Sequence, residues 1–297
     1  MEWRKNPISA DLLAMSDVEP TSPTVVNPQA NEQFRQLARQ LKLDPDGRWV
    51  GQYVEYEWNN GRWLLDGAYM KMGGARVLDF GCNFGAIAIV LATLGAQVES
   101  VDINDRAARL GQLNIQRYGC EKQIHLQYIS DSQAFPFENG HFDAIVCNSV
   151  LEYLPRKRRA GLLREMGRAL KPQGLLFIMG TSNRLWPRET HDGRWLVNYL
   201  PDWVDRVVRS RRNPFGKGVW PWEITGALRG YKSLMRDDRA YGYLQAKEFS
   251  GAHAFKIAAL HAAGRCVHWL GLTVGDITPC ITKVLQKPAF EKRRKEK

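Results

Sequence analysis

One stretch constrains this chain more than any other: Val77-Leu78-Asp79-Phe80-Gly81-Cys82-Asn83-Phe84-Gly85, followed by a second acid, Asp102. Residues 77–80 read as a buried strand, Gly81 as a tight turn and residues 86–94 as the helix that leaves it. Gly81 carries no Cβ, so the backbone there can pass close to a ligand. Gly85 opens a helix whose first N–H groups have no partner within the helix and face the same spot. Asp102 closes the next apolar run, 97–101, and stands twenty-one residues after Gly81. At that spacing an acid at the end of a second strand can accept from a ribose diol. The unit reads as a nucleoside-binding β-α-β.

The glycine spacing selects among nucleosides. A dinucleotide site brings two glycines close together so that a pyrophosphate can approach the backbone. Here the spacing is Gly-x-x-x-Gly, with Asp79 just ahead of it. A carboxylate would repel a pyrophosphate but would suit a ligand that carries an ammonium and a sulfonium. The stretch resembles the first motif of the class I S-adenosylmethionine-dependent methyltransferases. Two competing readings are another kind of nucleotide-binding turn and a core strand with a chance glycine pair.

Later segments follow the same family in order. Residues 124–129 alternate as a third strand and run into Ser130-Asp131-Ser132-Gln133-Ala134-Phe135-Pro136-Phe137. A fourth strand, 142–148, leads to Ser149-Val150-Leu151-Glu152-Tyr153-Leu154-Pro155 and a helix over 156–170. Lys171-Pro172-Gln173-Gly174 ends that helix, and 175–179 forms a fifth strand. The resemblance covers about residues 74–180. It implies a doubly wound α/β fold with a seven-stranded, mostly parallel sheet, the last strand antiparallel. N-terminal helices would fold over the cofactor; where the family passes quickly from strand five to a helix, this chain inserts a segment read as a cap. It further implies S-adenosylmethionine as cofactor. Asp79 would border its methionine end, Gly81, Cys82 and Gly85 the turn, and Asp102 with Ile103 the ribose side. Asp131 and Ser132 would meet the adenine, and Asn148 would stand where methionine and acceptor meet. Two residues depart from the pattern. Gln173 replaces the turn glycine, at a position expected to be type I and so tolerant. Tyr153 stands where many members carry histidine, which removes any catalytic role borrowed from that histidine.

Composition agrees with a soluble globular protein, with 44% hydrophobic and 25% charged residues. The five cysteines are scattered and form no Cys-x-x-Cys pair, so neither a zinc site nor a disulfide framework is expected. The N-terminus lacks the apolar stretch of a signal peptide, and the longest apolar run is too short to span a bilayer; a cytoplasmic protein is expected. The net charge of +11 draws on the tail 291–297 and on Arg206, Arg209, Arg211, Arg212 and Lys217. Such runs suit an anionic membrane surface, an acidic substrate, nucleic acid or simply solvent. Nucleic acid is the weakest of these, because no strand interleaves aromatic and basic residues.

By pattern the chain divides into a polar and aromatic-rich N-terminal part (1–73), the cofactor-binding core (74–180), an insertion (181–245), the completion of the core (246–290) and the basic tail (291–297). Helices are expected at 31–41 and within 47–71, where Tyr53 and Tyr56 share a face as packing residues. The insertion carries Trp186, Trp195, Trp203, Trp220 and Trp222, and reads as a cap over an apolar acceptor. After it, 250–263 reads as a helix, 266–272 as strand six and 280–285 as strand seven. Just past strand five lie Glu189 and His191, with His191 a candidate general base and Glu189 its orienting partner. The alternative is that both hold the loop through backbone hydrogen bonds; no metal site is assigned. The reading is a methyltransferase of a small, apolar or lipid-like acceptor, with O-methylation favoured. The alternatives are an RNA methyltransferase and a catalytically silent cofactor-binding scaffold. Oligomeric state is not legible in the sequence.

Overall fold

The computed structural model describes residues 20–129, 135–191, 193–204 and 217–289. Seven strands form one sheet in the order β3-β2-β1-β4-β5-β7-β6. They are β1 (Arg76–Phe80), β2 (Gln97–Asp102), β3 (Ile124–Tyr128), β4 (Phe142–Asn148), β5 (Leu170–Ser182), β6 (Lys232–Ser233) and β7 (Cys280–Gln286). β1 to β5 pair in parallel, while β7 runs antiparallel to both β5 and β6. This is the doubly wound, mostly parallel sheet that the sequence predicts.

Strand alternation divides the core between two faces. Val77, Val146 and Phe177 join one apolar cluster, whereas Leu78, Ile145 and Ile178 join the other. On the first face lie α2 (Tyr53–Leu65) and α3 (Ala86–Thr93); on the second lies α5 (Arg156–Ala169). α3 is apolar all round and buries Ala86 through Ala92, as a helix enclosed on every side must. The N-terminal α1 (Pro28–Gln40) packs on α4 (Asp105–Arg117). Arg117 clamps that contact: its guanidinium donates to Asn31 Oδ1 at 3.1 Å and to the Gly51 carbonyl at 2.9 Å, and it stacks 4.0 Å from the Phe34 ring.

Three expectations need correction. Strand six is Lys232–Ser233, inside the segment read as an insertion, and not residues 266–272. Those residues end α9 (Ala254–His268), which follows α8 (Tyr241–Phe249). A short apolar run does not distinguish strand from helix, and here α9 turns apolar residues outward. The 181–245 segment is therefore not all cap. Ser182 still pairs with β7, and Met235, Tyr243 and Leu244 are buried in the main core. What leaves the sheet is the stretch between Asn183 and Val219. A parallel bridge between those two residues closes its base, with Arg184 N–H to Val219 O at 2.9 Å and Val219 N–H to Ser182 O at 2.8 Å. Beyond this neck, α6 (Pro221–Ala227) packs on α5, and α7 (Leu234–Asp237) follows β6.

The third correction is local. Gln173 sits at φ +64°, in the left-handed region, and not at a type I position. Its backbone there bonds to strand β7, with N–H to Lys287 O at 3.1 Å and its carbonyl accepting from Gln286 Nε2 at 3.3 Å. These bonds to residues 286 and 287 hold the strained conformation.

Candidate active site

In a sheet of this order the winding reverses beside β1, and the crevice outside the strands' carboxyl ends is where a ligand sits. Asp79 occupies that end of β1. It is 1% exposed, and its Oδ2 has no hydrogen-bond partner. Burial first, then the Asp102 and Glu57 carboxylates, push its pKa up to about 8. Gly81 follows at φ +75°, and a Cβ there would collide with Val150. Glycine is thus required by the turn and by Val150. Gly85, at φ +74°, caps α3 and bonds its N–H to the Cys82 carbonyl at 2.8 Å. Cys82 is buried in the same turn, its N–H on Val101 O at 3.1 Å.

Asp102 ties two loops together. Its Oδ2 accepts from the Asn83 N–H and its Oδ1 from the Asn104 N–H, both at 2.8 Å. Each oxygen keeps a second lone pair for a ligand hydroxyl. Ile103 beside it is half exposed. Asn148, at the end of β4, donates from Nδ2 to Glu57 Oε1 at 3.0 Å. Glu57 reaches in from α2, also bonds the Tyr53 hydroxyl, and has its pKa raised by burial. Ser149 next to Asn148 holds φ +55°, and a Cβ on Gly180 would strike both residues. The Gly180 backbone is therefore packed against the Asn148 and Ser149 side chains. Asp131 and Ser132 lie outside the described residues.

A second constellation hangs over the end of β5. The His191 N–H donates to Glu189 Oε2 at 2.8 Å, and His191 Nδ1 lies 2.7 Å from Glu189 Oε1. Glu189 is 1% exposed. A carboxylate only accepts, so this contact puts the imidazole proton on Nδ1 and leaves Nε2 as the basic nitrogen. Nε2 lies 3.9 Å from Glu152 Oε1, and the imidazole meets the Tyr153 ring edge-on at 5.3 Å. Thr190 fastens the turn below by donating to Ser182 Oγ at 2.8 Å. His191 thus stands against Tyr153, the position at which the family resemblance places a histidine.

Sequence reasoning missed two carboxylates. Glu152 is 1% exposed, accepts from the Ser182 N–H at 3.2 Å and leaves Oε2 unpartnered. Burial drives its pKa to about 7, against the opposing pull of backbone N–H groups and of His191. Its signal was present: it is the one acid inside the apolar run that follows β4. Glu57 gave no signal, because only the docking of α2 buries it. Lys217 was counted with the basic run, yet it is 3% exposed and donates to the Leu200 and Pro201 carbonyls at 2.7 and 3.0 Å. It is a brace within the excursion. Arg206, Arg209, Arg211, Arg212 and the tail lie outside the described residues. Among the described residues no cluster of His, Cys, Asp and Glu is placed to hold a metal, and no helix is long and apolar enough to cross a membrane.

Comparison with known proteins agrees with this geometry. A family model for a methyltransferase domain matches residues 77–174. A ubiquinone biosynthesis O-methyltransferase of Xanthomonas oryzae pv. oryzae is 34% identical over 170 residues, which is 57% of this chain and 67% of that protein. An uncharacterized protein of Haemophilus influenzae is 36% identical over 116 residues, 38% of this chain and 45% of that one. Among solved structures, a protein described as a sarcosine dimethylglycine methyltransferase from Galdieria sulphuraria shares the fold. Its TM-score is 0.50 at 16% identity, over 88% of this chain and 99% of that one. The sheet order and the acid-bearing glycine turn define a nucleoside-binding α/β enzyme. The chain belongs to the class I S-adenosylmethionine-dependent methyltransferases.

Proposed function

We propose that the enzyme methylates a hydroxyl oxygen of a small, largely apolar acceptor, and that His191 removes the hydroxyl proton. The observation that carries this reading is the Glu189–His191 pair, poised over the end of β5 with Nε2 left basic. When bound, S-adenosylmethionine supplies an electrophilic methyl group. The residues at the strand ends fit that cofactor. Asp79 offers an unpartnered buried oxygen to a cationic methionine end, and Asp102 offers two oxygens to the ribose. Gly81, Cys82 and Gly85 shape the turn, Ile103 flanks the ribose side, and Asn148 with Glu57 borders the acceptor.

The chain then has to hold the acceptor oxygen in line with the methyl group and receive one proton. His191 Nε2 would receive the hydroxyl proton as the methyl group leaves the cofactor's sulfonium, which becomes a neutral thioether, for the acceptor oxygen. Glu189 keeps the proton on Nδ1 and stabilises the imidazolium that results. Glu152, behind Nε2, strengthens the base when ionised. Between the neck residues Asn183 and Val219, the excursion supplies exposed Trp195, Tyr199 and Trp203, side chains suited to an apolar acceptor. The ubiquinone name borne by the Xanthomonas relative points the same way.

The test is product formation from a methyl-labelled cofactor and a lipophilic phenol, with His191→Ala as the comparison. Turnover should fall by roughly 10²–10⁴-fold, the usual share of general-base catalysis, while cofactor affinity stays unchanged. A variant with wild-type turnover would show that alignment alone suffices and that Glu189 and His191 merely hold the loop.

A further inference from the structure

The helix α9 is packed in an unusual way. Ile257 is its only buried residue. Phe255 is 85% exposed, and Trp269, which extends the helix by one helical residue, is 79% exposed. Phe255, Ala259, Ala262, Cys266 and Trp269 recur at alternating steps of four and three, so they form one stripe. At about 100° per residue, this stripe lies opposite Ile257 and so points straight away from the body of the protein. Lys256 flanks it on one side and Arg265 on the other, both exposed. No acidic residue occurs from Phe249 through Gly275. A groove of about 400 Å³ runs between α8 and α9, beside Leu244 and Ala258, so α9 touches the body along a narrow line.

We infer that α9 is a docking surface for an anionic lipid bilayer, lying in the interface plane with Phe255 and Trp269 inserted among the headgroups. The charge pattern selects this occupant. An outward helix face that carries aromatic residues, with cations at its margins and no acid, matches an anionic surface in charge. The cations reach anionic headgroups while their stems cover apolar surface. A second copy of the chain is a poor occupant. Pairing of two such stripes would bring margins that carry only Lys256 and Arg265 together, with no acid on the helix to relieve them. The acids of neighbouring elements are engaged elsewhere: Asp237 pairs with Lys232 at 3.2 Å, Asp238 accepts from the Gly242 N–H at 2.9 Å and Asp276 pairs with buried Lys283. Glu248, on α8, lines the groove with Ala254, Ile257 and His261, on the side of α9 away from the stripe.

The full-length chain would be co-sedimented with vesicles of phosphatidylcholine alone and of phosphatidylcholine mixed with an equal part of phosphatidylglycerol. Binding should be confined to the mixed vesicles. Lys256→Gln with Arg265→Gln should weaken it about thirtyfold, at roughly fivefold per cation near an anionic surface. Phe255→Ser with Trp269→Ser should weaken it by about tenfold or more, the effect of losing one or two buried aromatic side chains. All four positions are exposed, so thermal unfolding and cofactor binding should match the wild type and certify the fold. A thiol-reactive environment-sensitive dye gives an independent reading at Cys266, the exposed cysteine, since Cys82, Cys120 and Cys147 are buried and Cys280 is half-buried. Its emission should shift to the blue with mixed vesicles. Wild-type binding by both double variants would place lipid contact elsewhere in the chain and overturn the proposal. So would a concentration-dependent dimer that the Phe255→Ser, Trp269→Ser variant abolishes in the absence of any lipid binding.

Discussion

Replacing Asp79 with asparagine should make the unliganded enzyme more stable and the liganded one weaker. The carboxyl sits fully buried beside two other acids, with one oxygen unpartnered and a pKa near 8. In the unfolded chain the same group ionises near 3.9. The folded state therefore holds a proton that the unfolded state releases, so stability falls with rising pH between about 4 and about 8. At pH 7 that difference favours unfolding by about 4 kcal/mol, an upper figure, at 1.36 kcal/mol per pKa unit. Asparagine keeps the shape and removes the ionisation, so the variant should gain a few kcal/mol at neutral pH and lose the gain below about pH 4. Denaturant unfolding of both proteins across that range measures it. Cofactor binding should show the reverse effect. A cationic methionine end draws out the ionised form, so wild-type binding should release close to one proton at pH 7, read by calorimetry in buffers of different ionisation heat. The variant should release none and bind at least about tenfold more weakly. An asparagine variant no more stable than wild type at neutral pH, or one that binds the cofactor equally well, would refute this reasoning.

Further outcomes follow from single residues. Glu152→Gln should remove a rise in turnover centred near pH 7, because the ionised carboxylate that supports Nε2 is present above its raised pKa of about 7 and lost below it; a profile unchanged by the substitution would detach Glu152 from the chemistry. Asp102→Ala should weaken cofactor binding by roughly 1.5–3 kcal/mol, the range for a charge-assisted hydrogen bond, in a protein whose circular dichroism is unchanged. Gln173→Gly should raise stability by about 1 kcal/mol, since glycine adopts a positive φ without the Cβ clash and the backbone bonds to β7 remain; a lower midpoint in urea would show the side chain to matter more than the strain.

The half of the site built on local chemistry could be read from the sequence. A glycine turn between an apolar run and a helix has few alternatives, and Asp102 falls at the end of the next strand because strand and helix lengths fix its spacing. That Glu189 and His191 pair was legible for the same reason, since they stand two residues apart just past β5. What depends on docking could not be read. Glu57 becomes a site residue only when α2 closes on Asn148. Strand six has two residues and no periodicity, and only β7 makes it a strand. Residues 266–272 misled because an apolar run was taken to face inward. Lys217 was counted as surface charge because its place among the Leu200 and Pro201 carbonyls comes from a loop folding on itself.

The neck between Asn183 and Val219 has a consequence for how such an enzyme can change. The sheet carries the excursion on those adjoining strands of backbone, and among the described residues Thr190 adds a hydrogen bond to the Ser182 side chain. Closing a longer or shorter loop alters stability slowly with length. The excursion therefore behaves as an exchangeable cassette. Under the proposed function, insertions, deletions or wholesale replacement beyond the neck would redirect the enzyme toward a new acceptor while the turn at Gly81 and the acids at 79 and 102 stay in register. Glu189 and His191 lie on the cassette side, so under the proposed function the base would travel with the acceptor it serves, while Glu152 would stay with the sheet.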